Sequence, residues 1–409
     1  MKILFAVAPG YGLMLPVVPL MWAARAAGHE ILVATTSEMT DVGASAGLPV
    51  VDVFPHRDVW SELLAAVFGE ADGAGEDDLP EEYRLAKKDG NPFGLFTLTM
   101  TEGTIAAGRA FGADLVIYTS DHAAGWFTAV ALAVPAVEVG NRISWSMRDE
   151  QFRAEHGATE ADEITRHLRT KLEIGATDPD LVARIDPRAP SMGGLSADEP
   201  DPRDAVPWWS MRFVPYNGGA VLPEWALHRP ARTRVCVTLG TVVPIMSGTS
   251  NLSAAIAALG EMDIDVVLAA GRADLSALGA LPANVRSVGF LPLSTFLPTC
   301  SLIVHHGGSG TTAAPLHYGI PQLVMPSFAD SYLSAQRVVD RGVGLSCDPK
   351  TVDAARVRAC VERLLGEPAF GAAAREVSAE MASQPSPAAV IERLTARFPA
   401  RVPRGDQSR

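Results

Sequence analysis

The chain has 409 residues, with 34 Lys and Arg against 47 Asp and Glu and a formal net charge of -13. That length exceeds what one hydrophobic core usually serves and predicts two domains, while 48% hydrophobic and 20% charged residues is ordinary globular composition. The acidic balance, with no basic spot denser than Lys87-Lys88, argues against nucleic-acid binding; no stretch reaches the roughly 20 apolar residues of a membrane span, and the run Met1 to Ala8 is too short for a signal peptide.

Read in chain order, Ile3 to Val7 is an apolar β-type run, followed by a turn at Pro9-Gly10-Tyr11-Gly12. Pro16 to Ala27 carries helical apolar spacing and stops at Gly28, and a second strand follows at Glu30 to Ala34. Strand, helix and strand in so short a span is a βαβ unit and predicts a parallel sheet. The unit recurs with strands at Ala113 to Tyr118 and Val134 to Val139 around a helix ending at Leu132. Residues 69–94, rich in Gly, Asp and Glu, read as a mobile surface loop, either inert or a flap over a binding site. Arg148 to Ile185 reads as a helical cap, with Trp208 and Trp209 in the interdomain linker. The pattern then restarts: strands are expected at Arg234 to Leu239, Asp263 to Ala269, Val285 to Gly289, Leu302 to His305 and Gln322 to Pro326. Cys236, Cys300, Cys347 and Cys360 are widely spaced without a CxxC, which fits reduced thiols in a cytoplasm and supplies no zinc site.

The segment richest in chemistry is Val304-His305-His306-Gly307-Gly308-Ser309-Gly310-Thr311-Thr312, between a strand and a helix. Its glycines allow close backbone approach, and Ser309, Thr311 and the free amides of the helix start offer donors to an anion. His306 adds a donor for a phosphate oxygen, so the segment predicts diphosphate binding rather than an ordinary turn. Gly10-Tyr11-Gly12 lacks the third glycine of a dinucleotide fingerprint, and no Gly-Lys-Ser/Thr pattern is present, which disfavours nicotinamide and ATP chemistry.

These residues, with Gly319 to Pro326, Ala329-Asp330, Ala24 to Glu30, Met211 to Gly219 and Val237 to Thr241, resemble family 1 glycosyltransferases of the GT-B fold, and most of all the actinobacterial type that glycosylates antibiotics. The resemblance spans nearly the whole chain. It implies two Rossmann-like α/β/α domains facing across a cleft: 1–205 binding the acceptor, a linker at 206–230, 231–368 binding the nucleotide sugar, helices at 369–398 returning to the first domain, and a tail at 399–409. It places His306, Gly308, Ser309, Gly310 and Thr311 on the diphosphate, Gly240 and Thr241 near it from the other side, Phe290 and Leu291 by the nucleoside base, and Asp330 and Ser331 by the sugar. Ser331 stands where the family often has glutamine, a weaker polar grip that suits a deoxysugar.

The same resemblance exposes a gap. The family usually carries a catalytic histidine in the first loop, where this sequence has Leu13, and Thr119 stands at its partner aspartate. Two residues on, Asp121 accepts the proton, or His122 does with Asp121 orienting it; the alternative is that Asp121 caps the following helix. Met14 and Leu15 are expected to touch the acceptor because that loop borders the cleft in the family, and Trp60 is a candidate aromatic wall. The implied function is an inverting transfer of a sugar, a deoxysugar carried on TDP, to a small hydrophobic natural-product acceptor such as a polyketide, without cofactor or metal. The rival is a catalytically inactive homologue that binds nucleotide or assists a partner transferase. A homodimer and an activating partner protein stay open; nucleic acid and a membrane span are not expected, and the location is cytoplasmic.

Overall fold

The computed structural model describes residues 1–55, 58–59, 81–89, 92–150, 163–241, 243, 252–271, 273–327 and 330–398. Two twisted sheets organise them. The first holds β1 (Lys2–Ala6), β2 (Glu30–Thr35), β3 (Val50–Asp52), β4 (Leu115–Thr119), β5 (Ala136–Val139), β6 (Leu181–Asp186), β7 (Glu199–Pro200) and β8 (Pro207–Ser210). Their order is β3-β2-β1-β4-β5-β6-β8-β7, parallel except that β7 runs against β8. The second holds β9 (Arg234–Thr238), β10 (Asp265–Ala269), β11 (Val285–Val288), β12 (Leu302–His305), β13 (Gln322–Val324) and β14 (Gly344–Ser346), in the order β11-β10-β9-β12-β13-β14 and parallel throughout.

Parallel strands joined by helices are covered on both faces, so their sequences run apolar rather than alternating. Ile3, Leu4, Phe5 and Ala6 of β1 are all fully buried, as are Val235, Cys236 and Val237 of β9. Each sheet reverses its winding beside such a strand, between β1 and β4 in one and between β9 and β12 in the other. The carboxyl ends of strands at such reversals leave a crevice for ligand, and the segments that follow β1, β4, β9 and β12 carry most of the residues singled out in the sequence.

Several expectations need correction. The helix expected over Arg148 to Ile185 is, among the described residues, only Glu163–Lys171; Leu181–Asp186 is a central strand. Its charges misled because they are paired inside the fold: Arg184 makes two bonds to Asp204 (2.9 and 2.6 Å), and Arg188 meets Asp186 at 2.8 Å with both side chains fully buried. Trp208 and Trp209 lie on β8 and are buried, so the linker begins after Ser210 rather than at 206. Trp209 sits beneath the guanidinium of Arg393, 3.9 Å from its ring centroid. The acidic loop expected at 69–94 lies mostly outside the described residues, and its end is already helical at Glu81–Asp89 and from Pro92.

Because Asp186 and Arg188 are both dry, removing one partner strands the other charge. Asp186→Ala is expected to cost about 3–5 kcal/mol, read as a lower urea midpoint, even though Asp149 still reaches Arg188 at 2.9 Å.

The last helices divide between the two halves. Pro368–Ser383 packs on Ser309–Tyr318 of the second half, whereas Pro387–Thr395 lies on Val18–Ala26 of the first. Val390, Ile391 and Leu394 join the first half's core with Leu20 and Met21, each such side chain contributing about 1.5–3 kcal/mol on burial. Among the described residues no helix is long and apolar enough to cross a membrane.

Candidate active site

β12 delivers two histidines with opposite tasks. His305 is a strand residue: its Nε2 bonds Gln322 Oε1 at 2.7 Å, and its Nδ1 accepts the Gly307 amide at 3.1 Å. Burial, and then the neighbouring His306, pull it down to about 3, so it stays a neutral structural group. His306 turns the other way, toward the cavity. Burial lowers it to about 4, against a smaller upward pull from Asp330, so at neutral pH it is an uncharged imidazole. Its Nδ1 is buried and makes no hydrogen bond of good geometry among the described residues, though the Thr238 backbone adds a further small upward pull.

Glycine makes room for that ring on both sides. A Cβ on Gly240, which already sits at φ +67°, would lie 2.5 Å from His306 Cε1, and a Cβ on Gly308 would lie 2.3 Å from its Nε2. Gly308 is the cap of the helix Ser309–Tyr318, and no side chain caps its first amides. Those donors lack partners within the helix and carry its positive end. They open on a cavity of about 510 Å³ between the two sheets. Gly240, Thr241, Phe290, Leu291, His306, Gly308, Ser309, Gly310, Thr311, Asp330 and Ser331 all line it, so every donor-side residue singled out in the sequence meets at one place.

Three of them are engaged within the chain. Ser309 Oγ accepts the amide of Ile143, and Ser331 Oγ accepts the amide of Ser327 at 3.1 Å. Asp330 Oδ2 accepts from Arg142 Nη1 at 2.9 Å and from Ser144 Oγ at 2.7 Å. Residues 142–144, which follow β5, therefore strap the first half to the second at Asp330. Arg337 reinforces the strap by donating from Nε to the Ser144 carbonyl at 2.6 Å. The Arg142 guanidinium lies 5.2 Å from both the Phe93 and Trp145 ring centroids, contacts that favour a cation in a partly dry setting.

The first half differs more from expectation. Leu13 and Leu15 line the cavity, but Met14 does not. It points into the core with Val17, Val18 and Met39 and is fully buried, because consecutive residues of a helical turn face different ways. Asp121 and His122 do not line the cavity either. The Asp121 side chain is wholly buried, where its Oδ2 accepts from Asn141 Nδ2 at 3.1 Å and lies 3.5 Å from Arg142. Nor does Asp121 cap the next helix, whose cap position is Ala123. His122 is 2% exposed, and burial lowers it to about 4. Neither ring nitrogen makes a hydrogen bond of good geometry among the described residues. Both residues stand behind the wall. Trp60 lies outside the described residues.

Sequence reasoning missed Arg142, Ser144 and Glu38 on or beside the cavity. Their common signal is position: each follows a parallel strand at its carboxyl end, where ligand crevices form.

Comparisons with known proteins converge on one group. Residues 22–240 and 253–397 match the N-terminal and C-terminal domain models of the family described as erythromycin biosynthesis protein CIII-like. The elloramycin glycosyltransferase of Streptomyces olivaceus is 38% identical over 99% of this chain and 100% of its own length. Among solved structures, the glycosyltransferase SnogD from Streptomyces nogalater is 32% identical, with a TM-score of 0.78 over 97% of this chain and 99% of that one. The glycosyltransferase VinC, solved in complex with DTDP, is 30% identical with a TM-score of 0.76 over 97% and 99%.

Proposed function

Since the chain belongs to the erythromycin biosynthesis protein CIII-like glycosyltransferases, natural-product enzymes of family 1 with the GT-B fold, we propose that it moves a deoxysugar from TDP to a small hydrophobic acceptor, such as a polyketide, with inversion at the anomeric carbon. The observation that carries this reading is neutral His306 lining the cavity beside the uncapped amides of Ser309–Tyr318. A diphosphate oxygen satisfies both. Charge grows on that diphosphate as the sugar leaves, and preorganised dipoles stabilise growing charge most strongly where water is excluded. Direct attack from the first half, on the face opposite the leaving group, inverts the configuration.

Thymidine diphosphate as carrier draws support from VinC, whose structure holds DTDP. The deoxysugar draws support from how little polar capacity the sugar end has to spare. Asp330 already takes Arg142 and Ser144 on one oxygen, and Ser331 already takes an amide. A sugar with fewer hydroxyls leaves fewer groups unpaired in such a site. The four free, buried cysteines support work in the reducing cytoplasm.

Calorimetric titration with TDP and UDP tests the reading, followed by a transfer screen of TDP-deoxysugars and UDP-glucose against polycyclic aromatic and macrocyclic acceptors. The expected result is TDP binding and turnover with TDP-deoxysugars above UDP-glucose. Absence of nucleotide binding overturns the assignment; binding without transfer or donor hydrolysis makes the chain a nucleotide-binding homologue instead.

A further inference from the structure

The transferase reading leaves the acceptor's proton without a destination. Leu13 cannot take it, and Asp121 and His122 stand behind the cavity wall. The chain leaving β2 provides another group. Ser37 takes a left-handed φ of 55°, a conformation that costs a residue other than glycine and collects at functional sites. Its buried hydroxyl has no hydrogen-bond partner among the described residues. The turn brings Glu38, just before the helix Met39–Ser45, onto the cavity wall beside the first loop. There the Tyr11 hydroxyl donates to Glu38 Oε2 across 3.3 Å, two residues before Leu13.

Among the described residues lining the cavity, Glu38 is the one carboxylate from the first half. Asp274 and Asp330 lie on the opposite half, and both are engaged: Asp274 accepts the amide and hydroxyl of Ser276, each at 2.9 Å, and Asp330 holds the strap. Glu38 is also exposed, so an incoming acceptor reaches it. The apolar wall around it, Leu13, Leu15, Met39 and Phe93, suits a hydrophobic acceptor body.

The geometry points to Glu38 as the proton acceptor for the attacking hydroxyl, in place of the first-loop histidine. This rests on the transferase reading. The acceptor O–H bond breaks and its proton passes to a Glu38 carboxylate oxygen. The same acceptor oxygen forms the bond to the anomeric carbon, and the bond from that carbon to the diphosphate oxygen breaks with its electron pair leaving on the diphosphate. Tyr11 holds the carboxylate toward the first loop.

The test compares Glu38→Gln, Glu38→Ala and Asp121→Asn with the unaltered chain, using a TDP-deoxysugar and two acceptors, one an aliphatic alcohol and one a phenol. Glu38→Gln is expected to lower kcat for the alcohol about a hundredfold, and by clearly less for the more acidic phenol. TDP affinity measured by calorimetry stays at its original value, which separates lost proton transfer from lost folding. Formate restores part of the Glu38→Ala rate. Turnover of Glu38→Gln within about threefold of the unaltered chain on the alcohol overturns the proposal, as does a loss confined to Asp121→Asn. An unaltered chain that binds no TDP sinks the transferase reading itself and is a different failure.

Discussion

Replacing His306 with alanine is expected to lower kcat/KM by about 10²–10³ and to weaken TDP binding. One preorganised donor aimed at developing negative charge is worth that much in enzymes of many folds. His306 has the features of such a donor: it is buried, uncharged at neutral pH, fixed between two glycine backbones, and on the wall of the cavity. Because it is already neutral, its contribution stays constant across the neutral range, and the variant's activity ratio is flat there. His306→Asn keeps a side-chain donor and should recover part of the loss. Gly308→Ala adds a methyl that the ring cannot tolerate at 2.3 Å, and should mimic the loss by displacing the imidazole rather than deleting it. Steady-state kinetics with calorimetric TDP titration checks all three; a His306→Ala variant with unchanged nucleotide affinity and turnover contradicts the site.

The second large effect is on stability in acid. Burial lowers His122 to about 4, His305 to about 3 and His306 to about 4 in the folded chain, while an unfolded histidine titrates near 6.5. Between those limits the unfolded chain binds more protons, so stability is full above about pH 6.5 and falls as pH drops toward 4. Each histidine contributes about 1.4 kcal/mol per pH unit within its window. Three together remove about 10 kcal/mol between pH 6.5 and 4, comparable with the usual 5–15 kcal/mol of a folded domain, so a steep loss of stability is expected as pH approaches 4. Urea midpoints from pH 7 to 4.5 measure the slope. His122→Asn removes one of these protons and should flatten the slope by up to about 1.4 kcal/mol per pH unit; an unchanged slope contradicts a dry, neutral His122.

The central strands were legible because burial on both faces leaves uninterrupted apolar runs, as in Ile3 to Val7 and Leu302 to Val304. Short strands such as Glu199–Pro200 and Gly344–Ser346 carry too few residues for any period to register. β6 was hidden by its charges: Arg184 meets Asp204 across 20 positions, and Asp186 pairs with Arg188 in a bridge whose burial no local spacing signals. The second half's part of the cavity was readable for the opposite reason: His305 to Thr311 is one contiguous stretch that supplies His306, Gly308, Ser309, Gly310 and Thr311 to the wall. The first half's contribution is assembled from distant pieces. Arg142 meets Asp330 across 188 positions, and nothing near either residue announces the other. Asp121 and His122 were expected to face the cleft from the end of β4, but which side of a wall a side chain faces depends on packing that spacing alone does not fix.

The helix Pro387–Thr395 lies on a helix formed by some of the earliest residues, Val18–Ala26. A ribosome adding about 5–20 residues per second reaches it tens of seconds after that earlier helix has emerged. Until then the core that holds Leu20 and Met21 lacks Val390, Ile391 and Leu394. The first half therefore closes its core only when synthesis is nearly done, and expressing it alone, without its late-made cover, is expected to lower its solubility.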